Sequence, residues 1–283
     1  MYMHPLLFVD GLMRRGRRLA DRLWIPLWNR HLRQRAKQET GLFHRALDES
    51  ISRGLRYFEL LPGLEMTTVI ALWPAFQTGL EPRLRFLTPA LQYHRARFNN
   101  SDLRLIDEDY DPAAPEVASL LHIPPNHPIN ELMEKCLYAD RLGLDAGILD
   151  ELARLEDRGF YGTTHIVWGC LLLRRFSNIS GSRIEALLDR GVESMIRRQK
   201  VDGVGDLFAE RIAFLQWADR HGDVDPAWLW RLALAQRPDG GWRRLWSIWP
   251  QQSSQHASCL ALAALIQFRA RTMAGAFGGN RRA

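Results

Sequence analysis

Apolar residues follow a helical spacing through much of the chain. Segments such as SISRGLRYFELL (residues 50–61) and TTVIALWPAF (67–76) return apolar side chains to one face every three or four positions. The alternation of apolar and polar residues that is typical of strands is nearly absent. No apolar run approaches the ~20 residues that are needed to cross a bilayer. The sequence therefore predicts an all-α protein.

Two distant segments look like copies of one helical unit. They are HPINELMEKCLYADRLG from His127 and DLFAERIAFLQWADRHG from Asp206. When ADRLG in the first is set on ADRHG in the second, His127 falls on Asp206 and Glu131 falls on Glu210. The match of the tails fixes this register, so the alignment of the ionisable residues is an independent observation.

Two further copies are recognised by the turn that precedes a helix. EDRGFYGTT leads into His165, and QRPDGGW (236–242) comes before a helix predicted to start at His256. A fainter turn, QKVDGVG (199–205), leads into Asp206. Predicted helix starts thus recur at 127, 165, 206 and 256, at intervals of 38, 41 and 50 residues. This spacing predicts helical-hairpin repeats that form a partial α/α toroid or a short α-solenoid.

The string QRPDGGW, followed by a helix of small apolar residues, resembles the QW-type repeat of terpenoid cyclases and of the β subunits of protein prenyltransferases. The resemblance implies an α/α toroid around a central cavity. HASCLALAAL also resembles the helix that carries the zinc-binding His of protein prenyltransferases, which would make His256 the counterpart of that ligand. The Asp-x-Cys companions of that ligand are absent, and DVDP (223–226) differs from the acidic DxDD motif of cyclases.

Composition predicts where the chain changes character. The stretch NNSDLRLIDEDYDPAAPE is rich in acids and turn-forming residues, and IPPNHP follows it, so a linker is expected there. The predicted segments are a basic amphipathic helical arm (1–40), an N-terminal helical region (41–100), an acidic, Pro-rich linker (101–126), the helical-repeat region (127–273) and a disordered tail (274–283).

The positive charge of the protein is concentrated in the arm. Residues 1–40 hold nine of the 38 Lys and Arg but three of the 32 Asp and Glu, so the rest of the chain has 29 of each sign. Apolar residues from Leu6 to Trp28 are interleaved with the arginines, as in a helix that lies on an anionic membrane or docks on a partner protein. The alternative is a peripheral helix that packs its apolar stripe on the body. Without a known motif or aromatic platforms, the arm argues against nucleic acid as a partner.

The cysteines indicate a reducing environment. Cys136, Cys170 and Cys259 lie far apart, each in a predicted apolar helix, so buried thiols are expected rather than a disulfide framework. The N-terminus also lacks the continuous apolar segment and cleavage site of a secretory signal. The sequence predicts a cytoplasmic protein.

The four recurrent helix starts predict a metal site. In a toroid, matching starts of the inner helices converge on one end of the cavity. His127, His165, Asp206 and His256 would then offer three imidazoles and a carboxylate to a divalent ion such as Fe, Zn or Mn. Glu131 and Glu210, one turn further along, are candidate catalytic residues that orient a ligand or act as a general base.

Each of these residues also has a structural interpretation. His127 and Asp206 could cap helices, and His256 could help to begin one. His165 could be a buried imidazole bonded to a backbone carbonyl. Two glutamates could form ordinary ion pairs on a helix surface, Glu131 with Lys135 and Glu210 with Arg211 or Arg220.

Aromatic residues are predicted to line the cavity for a small-molecule substrate. Trp168 lies in a repeat, and Trp246 and Trp249 lie in the loop before the last helix, where a lid is expected. Arg243 in the same loop could bind an anionic substrate. Packing between hairpins is the alternative for most of the tryptophans.

Three functional hypotheses follow from these patterns. The first is a metal-dependent enzyme that acts on a small organic molecule in the toroid cavity. The second is a non-catalytic helical-repeat scaffold for a protein partner or a membrane surface. The third is a prenyl or terpenoid transferase or cyclase, for which the acids from Asp107 to Asp111 would have to face the cavity.

Overall fold

The computed structural model describes residues 5–97, 101–108, 110, 128–244 and 252–278, and this part of the chain contains helices and no strand. The all-α prediction is confirmed there. One isolated bridge pairs Trp242 with Ser254. The α-helices, in chain order, are α1 (Pro5–Gln38), α2 (Thr40–Glu59), α3 (Met66–Gln77), α4 (Leu87–Arg97), α5 (Pro128–Leu137), α6 (Ala139–Leu142), α7 (Gly147–Ala153), α8 (Phe160–Phe176), α9 (Gly181–Gln199), α10 (Asp206–Trp217), α11 (Pro226–Ala235) and α12 (Gln255–Gly278).

The chain divides into two compact units that interrupt each other in sequence. Unit 1 comprises Met1–Phe86, Arg197–Gln216 and Arg220–Ala283. Unit 2 comprises Leu87–Ile196 and Trp217–Asp219. Each unit is described by itself below.

The core of unit 1 forms around α12. This helix packs against α2, α3 and α11, and the alanines of its first half, among them Ala257 and Ala261, are fully buried. Small side chains allow neighbouring helices to approach closely, and Gly54 of α2 shows the same effect. A Cβ at Gly54 would lie 3.1 Å from Leu262 of α12 and 3.3 Å from the Trp242 ring.

The helix α1 packs one face on unit 1. Ile25, Leu32 and Ala36 are buried against this unit, where α1 contacts α2 and α11. The alternative interpretation of the arm, a peripheral helix with its stripe on the body, therefore describes this face.

The core of unit 2 forms around α8, which packs against α5, α7 and the 3₁₀ helix Arg154–Arg158. Cys170 in α8 and Cys136 in α5 are fully buried free thiols, as is Cys259 in unit 1, so the prediction of buried cysteines is confirmed. Burial raises the pKa of Cys170 to about 12, so its thiol stays protonated and packs as a small apolar group.

The predicted helix starts are met in two of the described copies. The helix α10 begins at Asp206, and α12 begins one residue before His256. The expectation at His165 is wrong, because α8 already begins at Phe160. Gly159, at φ +79°, ends the preceding turn, and the Thr164 hydroxyl donates back to the Tyr161 carbonyl within the helix.

Two segments that were predicted to be irregular contain helix. In the predicted linker, Ser101–Leu105 forms a 3₁₀ helix, and residues 109 and 111–127 lie outside the described part. In the predicted disordered tail, α12 continues to Gly278, and 279–283 lie outside the described part. None of the described helices combines the length and the apolar character that a membrane crossing requires.

Candidate functional site

Two of the four predicted ligands meet in unit 1. Asp206 is the first residue of α10, and His256 is the second residue of α12. The His256 Nδ1 lies 2.7 Å from Asp206 Oδ1, a hydrogen bond between groups that are 50 positions apart in sequence. The Asp206 side chain is 3% exposed, whereas that of His256 is 36% exposed. A buried carboxylate therefore holds an imidazole that solvent can reach.

This bond fixes the tautomer of His256. A carboxylate accepts hydrogen bonds and cannot donate them, so Nδ1 carries a proton. The remaining nitrogen, Nε2, is then the atom that gains or loses a proton when His256 titrates. The hydrogen bond to Asp206 is the main cause that raises the pKa of His256 above its usual value, against the opposing effect of burial. Glu210 raises this pKa further and Arg244 lowers it.

Arg244 joins the chain segment after Trp242 to the start of α10. Its carbonyl accepts a hydrogen bond of 2.9 Å from the Asp206 backbone N–H. Its Nε lies 3.8 Å from Asp206 Oδ2, and its side chain is 67% exposed. Glycine at position 205 keeps this contact free of crowding, because a Cβ there would lie 3.1 Å from the Arg244 carbonyl oxygen. Asp206 thus lies between the imidazole and a guanidinium.

Glu210 lies one turn beyond Asp206 in α10 and is 3% exposed. The sequence placed it as a catalytic candidate, and the structure places it within electrostatic reach of His256. Arg211, one of the partners that the structural interpretation suggested for Glu210, binds Asp202 at 2.8 Å through its guanidinium.

The first residue of α12 anchors the site to α3. The Gln255 Oε1 accepts from the Glu65 backbone N–H at 3.0 Å and from the Thr68 hydroxyl at 3.4 Å. Its Nε2 donates to the Gly63 carbonyl at 3.1 Å. Three bonds from one amide side chain fix the start of α12, and they therefore fix the position of His256 as well.

Cys259 lies one turn beyond His256 but does not serve it as a nucleophile. Its thiol is fully buried and donates to the backbone carbonyl of His256 at 3.1 Å. Burial raises the pKa of this thiol, so the reactive thiolate is disfavoured. The chemistry of the site therefore rests on the imidazole and the carboxylates.

The turn QRPDGGW positions the segment that carries Arg244. Trp242 is buried, its Nε1 donates to the Leu232 carbonyl at 2.8 Å, and its backbone N–H donates to the Ser258 hydroxyl at 2.8 Å. Ser258 belongs to α12, two residues beyond His256. The motif that carried the family resemblance thus has a structural role next to the site.

The other predicted ligands have different surroundings. His165 lies in unit 2, where its Nδ1 is 2.8 Å from the Tyr161 carbonyl of its own helix, as the alternative interpretation expected. Its ring packs on the Tyr161 ring at 5.4 Å. His127 lies outside the described residues. Glu131 is exposed on α5 and pairs with Lys135 at 3.5 Å.

The structure brings no metal shell together in the part of the chain that it describes. No group of three or more His, Cys, Asp and Glu there is placed to hold a metal ion. Asp206 and His256 are adjacent, but the predicted four-ligand site remains a prediction that involves residues of both units and one residue outside the described part.

The predicted substrate-binding residues are divided in the same way. The Trp168 ring, half-buried in unit 2, lies 5.9 Å from the Trp217 ring. Arg243 is half-buried and directly precedes Arg244 in the sequence. Trp246 and Trp249 lie outside the described residues. The acidic stretch offers Asp107, which binds Arg95 at 3.0 Å in unit 2.

Sequence reasoning missed two residues that shape the site. Gln255 was not singled out, and the pairing of Arg244 with Asp206 was not foreseen. The sequence gives a weak signal for the first, since Gln255 directly precedes the helix predicted from His256. It gives none for the second, because a contact across 38 residues leaves no local pattern.

No protein-family model, no curated protein and no solved structure matches this chain closely enough to indicate a relationship.

Proposed function

We propose that the protein is an enzyme that transfers protons, with His256 as the general acid and base and Asp206 as the carboxylate that positions it. The observation that carries this proposal is the 2.7 Å bond between a buried carboxylate and a partly exposed imidazole. A buried carboxylate is costly unless it is paired, so its retention beside an accessible titrating group favours catalysis. Histidine oriented in this way exchanges protons near neutral pH.

The proposed substrate is a small organic molecule with an anionic group. The Arg244 guanidinium is mostly exposed and lies beside Asp206, and Arg243 precedes it. Guanidinium groups bind carboxylate and phosphate oxygens through paired hydrogen bonds. An anionic substrate held by these arginines would present a neighbouring atom to His256 Nε2 for proton transfer.

The proposed architecture is a helical-hairpin repeat of the α/α-toroid type. Two turns of similar sequence, QKVDGVG and QRPDGGW, support it. In both, the Gln side-chain amide donates to backbone carbonyls: Gln199 to Phe208 at 3.0 Å, and Gln236 to Ser50 at 2.9 Å and Gly240 at 2.8 Å. A shared use of the first residue of the motif is what a duplicated unit would retain.

Substrate turnover from a metabolite mixture tests the proposed enzyme. The purified protein is incubated with a bacterial metabolite extract, and mass spectrometry follows which compounds are consumed or formed. The expected result is turnover of an anionic metabolite by the wild type, lost in His256→Gln and retained in His165→Gln. The His165 variant is the matched control, because it removes an imidazole of unit 2 whose Nδ1 lies 2.8 Å from a carbonyl of its own helix.

Elemental analysis of the same preparations separates proton transfer from metal catalysis. Near-equimolar Fe, Zn or Mn that disappears in His256→Gln would replace the proton-transfer proposal with the metal-dependent enzyme. Equal turnover by the wild type and the folded His256→Gln variant would contradict both.

A further inference from the structure

The first helix of the protein has two apolar faces, of which one is covered. The buried face of α1, formed by Ile25, Leu32 and Ala36, packs on unit 1. The opposite face carries four large apolar residues with exposed fractions of 73%, 68%, 59% and 44%, which we name the apolar patch. They are Leu23, Trp24, Leu27 and Trp28.

The apolar patch is continuous. Leu23 and Leu27 are one helical turn apart, as are Trp24 and Trp28, so the four side chains share one side of the helix. Single exposed apolar residues are ordinary on protein surfaces, but four large ones on one side of a helix mark an interaction site. The Arg231 guanidinium carbon lies 5.7 Å from the centre of the Trp28 ring, and this contact holds one end of the patch on the body of unit 1.

Positive charge surrounds the apolar patch. Arg22 precedes it, Arg30 lies one turn after Leu27, and both are exposed. Residues 22–38 contain no Asp or Glu, and residues 1–40 hold nine basic against three acidic residues. A surface that accepts this helix must therefore be apolar below and negatively charged around it.

We infer that α1 docks through the apolar patch onto an anionic lipid surface, lying in the plane of the interface. A bilayer with anionic headgroups offers acyl chains for the leucines and negative charge for the arginines. Tryptophan is favoured at the depth where headgroups meet chains, and arginine reaches the headgroups with its long side chain. Arg33 already pairs with Asp225 and Arg35 with Glu39, so the exposed Arg22, Arg30 and Lys37 are the residues left to reach the headgroups.

Vesicle sedimentation with the full chain tests this inference. The wild type should sediment with vesicles of phosphatidylcholine and phosphatidylglycerol, and much less with phosphatidylcholine alone. The variant Trp24→Ser with Leu27→Ser should bind the anionic vesicles at least about tenfold more weakly than the wild type, because two apolar side chains no longer enter the bilayer. Arg22→Gln with Arg30→Gln should weaken binding several-fold, and added salt should do the same to the wild type.

A matched control comes from the same unit. Leu60 and Leu234 are exposed by 73% and 57%, so Leu60→Ser with Leu234→Ser removes similar apolar surface elsewhere. This control should bind like the wild type. Equal losses in the control and in the Trp24, Leu27 variant would overturn the inference.

Two other results would also overturn the inference. One is wild-type protein that stays in the supernatant with anionic vesicles. The other is a wild-type dimer, measured by light scattering, that becomes a monomer in the Trp24, Leu27 variant while no form binds vesicles. That result would assign the apolar patch to a second copy of the chain.

Discussion

Two turns of similar sequence in unit 1 are stabilised in different ways. The turn QRPDGGW is held by a buried aromatic ring, by hydrogen bonds to backbone groups and by the Asp239 carboxylate. Gly240 takes φ +90°, and a Cβ there would lie 2.3 Å from the Arg53 carbonyl oxygen, so the turn needs glycine at this position. Asp239 accepts from the Ser253 hydroxyl at 2.8 Å, and Trp242 fills the space below.

The turn QKVDGVG lacks the tryptophan and is held by two buried arginines. The Arg211 guanidinium binds Asp202 at 2.8 Å and Gln199 at 3.3 Å, and it is 1% exposed. Arg231, also 1% exposed, donates to the Asp202 carbonyl at 2.6 Å and to Asn29 at 3.2 Å. Burial lowers the pKa of Arg231 to about 10, which still leaves it charged at neutral pH.

The comparison shows that two turns of similar sequence can each precede a helix and yet depend on different interactions. One turn leads to Arg244 and to the start of α12, and the other leads directly to Asp206. A turn held by a buried aromatic ring does not depend on charged groups. A turn held by buried guanidinium groups loses stability when one of their hydrogen-bonding partners is removed. The position of Asp206 should therefore depend on charged groups, and the position of Arg244 on packing.

The largest effect is expected from Arg211→Ala, which breaks the charged turn. Asp202 and Gln199 lose their partner and a cavity forms, so the free energy of unfolding should fall by about 3 to 5 kcal/mol. Asp202 is 31% exposed and can regain water, which favours the lower end of this range. Chemical denaturation measures the loss. The exposed Arg56→Ala in α2 is the control and should change stability by about 0.5 kcal/mol at most.

Hydrogen exchange of Arg211→Ala locates the effect. Amides of residues 199–206 should exchange faster, while those of 236–242 keep their protection. Equal acceleration in both turns would contradict the separate stabilisation of the two turns.

A smaller effect is expected from Trp242→Phe, which weakens the aromatic turn. The ring stays apolar, but the bond from Nε1 to the Leu232 carbonyl is lost, so the free energy of unfolding should fall by about 1 to 3 kcal/mol. In this variant the backbone amides of residues 236–244 should exchange hydrogen faster, while those of residues 199–205 should exchange as in the wild type. Unchanged protection of 236–244 would show that Trp242 does not hold this turn.

The smallest effect is expected from the ion pair that the two turns bring together. Asp206 raises the pKa of His256 in the folded state, so the pair stabilises the fold below the unfolded value of about 6.5. This contribution is lost as the pH rises through the folded pKa. The thermal midpoint of the wild type should therefore exceed that of His256→Gln more at about pH 6 than at about pH 9.

The pair is expected to contribute about 1 kcal/mol or less to the free energy of unfolding, because a third of the imidazole is exposed and solvent screens the pair. The exposed Arg56→Ala, which removes no group that titrates in this pH range, is the control and should differ from the wild type by a constant amount. A constant difference between the wild type and His256→Gln across this range would contradict the pairing.

Local pattern predicted the helices of this protein but not all their starts. Turn-forming residues precede the starts of both α10 and α12. The start of α10 was therefore predicted correctly at Asp206, and the start of α12 at Gln255 was predicted one residue too late. The start at Phe160 was missed because the residues after Gly159, FYGTT, include the Gly and Thr that are typical of a loop. Packing against the rest of unit 2 stabilises these residues as helix, and this packing cannot be recognised from the local periodicity.

The candidate site could be predicted only in part, for a physical reason. Asp206 and His256 were identified because both lie near helix starts after similar turns. The recurrent spacing could not indicate that His165 would bind its own backbone, since a histidine inside a helix and one at its start look alike in sequence. Nor could it reveal the role of Arg231, whose partner Asn29 lies 202 positions away in the sequence.

Titration of His256 by NMR tests the central claim most directly. Labelled histidine side chains are followed against pH in the wild type and in Asp206→Asn, and His256→Gln assigns the signal. The account predicts that the pKa of His256 lies above the usual histidine value in the wild type and falls clearly in Asp206→Asn, while His165→Gln leaves it unchanged. An equal pKa in the wild type and in Asp206→Asn would show that the carboxylate does not control the imidazole, and it would contradict the proposed acid–base site.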